Sequence, residues 1–107
     1  MEYCVIFVTC ASREEAEKIS GLLLDGRLIA CANIVDGVRS VFCWQGKREN
    51  ALEVLLILKT RKALFEDVVR TVRGAHSYSV PEIIALPVVE GNEEYLKWLQ
   101  DETSPQG

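Results

Sequence analysis

The chain has 107 residues, 49% hydrophobic and 26% charged, with a formal charge of −4, which describes one soluble-type domain (1–107) with no room for a second core. Lys and Arg are interleaved with a surplus of acids, so the basic face that a general nucleic-acid binder needs for phosphate is missing. No apolar run approaches the ~20 residues that span a bilayer, and no basic segment followed by an apolar core and a cleavage site opens the chain; the expectation is a cytoplasmic protein with no membrane partner.

Tyr3 to Thr9 is rich in β-branched and aromatic residues and predicts a central strand, apolar on both faces. Ser12-Arg13-Glu14-Glu15 is a capping box, and Ala16, Ile19 and Leu23 then fall on one stripe until Asp25-Gly26, which predicts a helix of about 12 residues. Leu28 to Val35 predicts a second strand, bent at Asp36-Gly37 and resumed from Val38 to Trp44. Gln45-Gly46-Lys47 marks a turn, and the return strand is expected over Glu53 to Thr60, around the apolar run Val54 to Leu58. A second helix is expected from Lys62 to Arg73, ended by Gly74, with Leu64, Phe65, Val68, Val69 and Val72 on its apolar face. Ile83 to Val89 predicts the fourth strand. Asn92 caps a last helix with acids in its first turn and Leu96 and Leu99 facing inward, and the tail 103–107 is expected to fray.

The order β-α-β-β-α-β with a terminal helix is the split βαβ, or ferredoxin-like, pattern of an α+β domain. Helices would cover one face of such a sheet. Strands one and three are apolar on both sides, so the other face needs a cover, and further copies of the chain are the economical one.

Cys4, Cys10, Cys31 and Cys43 form no C-x-x-C pair. Cys4, Cys31 and Cys43 read as buried, reduced, small hydrophobes; Cys10 differs in ending its strand. His76 is the only histidine and sits close to Glu82 in the segment from Ala75 to Pro87. A lone histidine can titrate or ligate near neutral pH, although one in a turn more often serves as a solvated or capping group. Glu82 has a plain reading as well, a surface pairing with Arg73 or Lys59. Tyr78 and Trp44 can line a pocket or simply pack. The chain holds no nucleophile elbow, no serine or cysteine placed with a base and an acid, and no phosphate-binding glycine loop, so no enzyme activity is expected.

The segments Arg27 to Ile34, Ser40 to Lys47 and Leu58-Lys59-Thr60, and above all His76-Ser77-Tyr78-Ser79-Val80-Pro81-Glu82-Ile83 with Gly91-Asn92 and Tyr95 to Leu99, resemble the CutA divalent-cation-tolerance family. The resemblance runs from Val5 to about Asp101. It implies a ferredoxin-like protomer, a homotrimer built through long hairpin strands, and binding of a divalent metal ion, copper or alternatively zinc. It also implies that Cys10, His76 and Glu82 are the metal ligands. Strand four beside strand one would bring them together, and thiolate, imidazole and carboxylate suit copper or zinc better than magnesium or calcium. Architectural likeness to PII signalling proteins keeps open a trimeric small-ligand or scaffold module without a physiological metal. The chain departs from the family pattern at Ala75, where some relatives carry a second histidine, at Ser77, which replaces a usual proline and would free the loop around His76, and at Phe42 and Gln45.

Overall fold

The structure, a computed structural model, describes residues 1–105. The elements run β1 (Tyr3–Cys10), α1 (Arg13–Asp25), β2 (Cys31–Trp44), β3 (Lys47–Arg61), a 3-10 turn (Lys62–Leu64), α2 (Phe65–Ala75), β4 (Ile83–Pro87) and α3 (Glu93–Glu102). One antiparallel sheet has the order β2-β3-β1-β4. The domain is α+β.

Strand alternation decides the core. Cys4, Ile6, Val8 and Cys10 of β1 and Val54, Leu56 and Leu58 of β3 point to one face, where Ala16, Ile19 and Leu23 of α1 and Val68 and Val72 of α2 cover them; most are fully inaccessible. Thr60 is equally buried and donates its hydroxyl to the Leu28 carbonyl at 2.6 Å, which satisfies a polar group that would otherwise be costly there. The alternate residues of the same strands, including Val5, Phe7, Leu55 and Ile57, are only half-buried, and Ile84 and Leu86 of β4 are exposed. This second face therefore stays apolar and open.

The hairpin departs most from expectation. β2 is the one bent strand expected, beginning at Cys31 rather than Leu28: Val35 pairs with Leu55 and Val38 with Glu53, so Asp36 and Gly37 together oppose Val54, with Gly37 at φ 74°. That is a bulge, and a glycine accepts its positive φ without strain. β3 begins at Lys47, not Glu53, because Gln45 (φ 51°) and Gly46 (φ 80°) form a primed turn whose twist matches the strands and lets pairing start at once. The polar stretch from Arg48 to Asn50 pairs through its backbone regardless of side-chain polarity. Residues 41–50 are all exposed and the molecule measures 48 × 26 × 22 Å, so the hairpin tip stands away as an arm.

Smaller corrections concern the ends of elements. Lys62–Leu64 forms a 3-10 turn before α2, which continues over Gly74 to Ala75; β4 stops at Pro87. Thr103 is 3% exposed, and Arg61 donates to its hydroxyl (2.9 Å) and its carbonyl (2.7 Å) while Arg27 donates to the Ser104 carbonyl (2.9 Å). These bonds hold the expected frayed tail to the body through Ser104. Gln106 and Gly107 lie outside the described residues.

Candidate metal centre and adjoining cleft

Three segments converge at the end of β1. Cys10 is its last residue and points inward at 0% exposure. The chain turns through Ala11 and Ser12 into α1, where the Ser12 hydroxyl accepts the Glu15 N–H (3.1 Å) and Glu15 Oε1 accepts the Ala11 N–H (3.0 Å), a close variant of the capping box. α2 ends at Ala75, and the extended backbone of His76 (φ −87°, ψ 143°) turns its ring onto the same spot. Cys10, Glu15 and His76 thereby present one donor atom each, all within 4.8 Å of one another, the one such group among the described residues.

The hydrogen bonds fix the state of the cluster. His76 Nε2 lies 2.8 Å from the Thr9 carbonyl; a carbonyl only accepts, so Nε2 carries the hydrogen. Nδ1 is then the unprotonated nitrogen, and it accepts the Tyr78 N–H at 3.0 Å. The imidazole side chain is fully buried and sits against the Tyr78 ring at 4.7 Å. Glu15 Oε2 accepts the Ser77 N–H at 2.7 Å. Burial works to raise the Glu15 carboxyl, but the hydrogen bonds from Ala11 and Ser77 outweigh it and hold it below its ordinary value. Burial, reinforced by the negative charges of Glu15 and Glu53, pushes the Cys10 thiol up to about 12.

Thiol, carboxylate and imidazole match the donor chemistry of copper or zinc, with metal–ligand distances near 2.0–2.3 Å. Donors shared by one such ion stand about 3.5 Å apart in a tetrahedral arrangement, so the cluster must draw in somewhat. His76 Nδ1 must also give up the Tyr78 N–H, and Cys10 its proton. The donor set fits a metal; in this form it is closed by its own hydrogen bonds.

Glu82 is not part of the cluster. Register explains why: Val8 pairs with Ile83, so Glu82, one residue earlier, falls opposite Thr9 and shares its side of the sheet, while Cys10 faces the helices. Ser77 also differs from expectation, because its N–H, which a proline would lack, is what ties the loop to Glu15. Two acids escaped the sequence reading. Glu15 was visible only as a capping residue, although five positions from Cys10 across a tight turn was a usable signal. Glu53 looked like a strand boundary, yet it is 7% exposed and accepts the Tyr78 hydroxyl at 2.7 Å. Burial and that bond raise the Tyr78 phenol to about 12.

Behind the cluster, on the open face of the sheet, lies a cleft of about 750 Å³ lined by Thr9, Ser40, Phe42, Trp44, Glu53, Tyr78 and Glu82 among others. Thr9 and Tyr78 belong to both places, since each bonds to His76.

A four-stranded antiparallel sheet under helices, with a Cys–Glu–His cluster at the end of its first strand, defines the class: a small α+β protein. The family model of the CutA1 divalent ion tolerance protein matches residues 4–102. The divalent-cation tolerance protein CutA of Thermus thermophilus is 44% identical over 99 residues, which cover 92% of this chain and 96% of that protein; its solved structure superposes with a TM-score of 0.93, covering 95% and 99% of the two chains. The chloroplastic protein CutA of Arabidopsis thaliana is 43% identical over 92% of this chain. There the chain spans about half of the relative's length, 54%. The solved CutA1 of Oryza sativa gives a TM-score of 0.94 at 40% identity, covering 99% of this chain and 97% of that one. The chain belongs to the CutA divalent-cation tolerance family.

Proposed function

We propose that this protein binds a divalent cation, copper in first place and zinc in second, through Cys10, Glu15 and His76, as part of the cell's response to excess metal. The observation that carries the reading is the convergence of three different donors within 4.8 Å at the junction of β1, α1 and the loop after α2. Sulfur and nitrogen donors favour copper over the other common divalent ions. The chain binds rather than catalyses: a fully buried thiol pushed up to about 12 is not an activated nucleophile. The strand order supports a ferredoxin-like protomer. The open apolar face and the protruding hairpin arm support assembly into a homotrimer through those strands. Four unpaired cysteines fit a reducing, cytoplasmic setting.

Calorimetric titration of the metal-free, reduced protein with copper and with zinc tests this. Saturable binding is expected, weakened at least about tenfold by Cys10→Ser, Glu15→Gln or His76→Ala and untouched by Glu82→Gln. Equal affinity in Cys10→Ser and His76→Ala would sink the site.

A further inference from the structure

We propose that Tyr78 couples the Cys10–Glu15–His76 cluster to the other face of the sheet, so that loading the cluster with a divalent cation breaks the bond between the Tyr78 hydroxyl and Glu53. The inference rests on the metal reading above and adds a regulation of that same site. The two ends of the coupling lie on opposite sides of the sheet. Cys10, turned towards the helices, pairs with Val54, and Glu53, the next residue along β3, points the other way into the cleft. Tyr78 holds a hydrogen bond to each end, through its N–H to His76 and through its hydroxyl to Glu53.

The ligating nitrogen of His76 is already in use. Nε2 donates to the Thr9 carbonyl at 2.8 Å, the support that a metal-binding histidine normally gives its ring. Nδ1 is the nitrogen turned towards Glu15, 3.7 Å from Oε1, and it has one lone pair. The Tyr78 N–H, 3.0 Å away, holds that pair in the metal-free chain, so a cation and this amide exclude each other. The Ser77 N–H holds Glu15 Oε2 at 2.7 Å, so two consecutive amides of one loop close the cluster together. Releasing the Tyr78 amide moves a residue whose ring rests 4.7 Å from the imidazole and whose hydroxyl lies 2.7 Å from Glu53 Oε2. A hydrogen bond of that length is lost once its partners separate by about 1 Å more. Glu53 is 7% exposed, and among the described residues no ion pair includes it, so the Tyr78 hydroxyl is the contact on which it depends. Occupancy of the cluster is thereby reported at Glu53, on the face proposed above for contacts between copies of the chain.

The test compares zinc binding by the reduced full chain and by its Tyr78→Phe variant in calorimetry, zinc being redox-inert. In the metal-free chain the hydroxyl bond helps to hold the amide on Nδ1, so Tyr78→Phe should bind zinc more tightly, by at least about fivefold, although it is the less stable protein. A variant damaged only in its packing would bind more weakly. Reciprocity requires saturating zinc to shrink the difference in urea midpoint between the two proteins. A second measurement needs no variant: the Tyr78 amide, protected in the metal-free chain, should exchange with solvent faster once zinc is bound, as read by NMR. Equal or weaker zinc binding by Tyr78→Phe, an undiminished difference in midpoint, or a Tyr78 amide equally protected in the zinc-loaded protein would each overturn the coupling. Failure of the unaltered chain to bind zinc sinks the metal reading and the coupling with it, whereas zinc binding that ignores Tyr78 sinks the coupling alone.

Discussion

Replacing Tyr78 by phenylalanine removes one hydroxyl and nothing else, and the structure says what that hydroxyl does. It donates a 2.7 Å hydrogen bond to Glu53 Oε2, the one side-chain hydrogen bond that this 7% exposed carboxylate makes among the described residues. Bonds to a charged acceptor contribute about 1.5–3 kcal/mol. Glu53 lines the cleft, where water can reach it, which argues for the lower part of that range, about 2 kcal/mol. The phenyl ring keeps its contact with His76, so no cavity term is added. Urea denaturation at fixed protein concentration should show the midpoint falling by about 1–2 M. Glu53→Gln keeps an acceptor and should cost less, and in the double variant the two losses should fall short of their sum by about 1 kcal/mol or more. A loss below about 0.5 kcal/mol in Tyr78→Phe, or strictly additive losses, would show that solvent already satisfies Glu53 and would undo the account of the cleft floor.

Two further outcomes follow from the cluster. Ser77→Pro removes the N–H that reaches Glu15 Oε2, a loss of about 1.5–2 kcal/mol, and recovers about 0.5–1 kcal/mol by stiffening the unfolded chain; His76 already has the extended backbone that precedes a proline. The melting temperature should therefore drop by several degrees, and a rise would mean that the Ser77–Glu15 bond is dispensable. Cys10 should resist iodoacetamide at neutral pH while the exposed Cys43 reacts, as mass spectrometry of the native protein can show. The folded thiol is raised from 9.0 to about 12, so the unfolded chain loses its proton first as pH climbs. The stability Cys10 contributes is whole below pH 9 and is lost progressively as pH rises from 9 towards 12. An alkaline unfolding limb identical in Cys10→Ser would contradict this.

Much of the fold was legible because local chemistry and tertiary packing agree. The alternation of β1, the Ser12 capping box and the stripe of Ala16, Ile19 and Leu23 each specify an element and its buried face without reference to the rest of the chain. The hairpin arm was less legible, because backbone pairing set by the Gln45-Gly46 turn does not need apolar side chains at Arg48 to Asn50. Thr103 looked like a loose end because its anchor, Arg61, is 42 residues away in sequence.

The site divides along the same line. Sequence by itself brought Cys10 and His76 to attention, since each is chemically distinctive and each ends or follows an element whose place in the sheet could be inferred. Only the tertiary structure decided their third neighbour. The face on which an acid lands depends on a one-residue register, which puts Glu82 beside Thr9 in the cleft, and on how tightly the chain turns after Cys10, which swings Glu15 onto the thiol. The protonation of the cluster and the burial of Glu53 were likewise tertiary outcomes, because both depend on backbone and side-chain groups that only folding brings within hydrogen-bond reach.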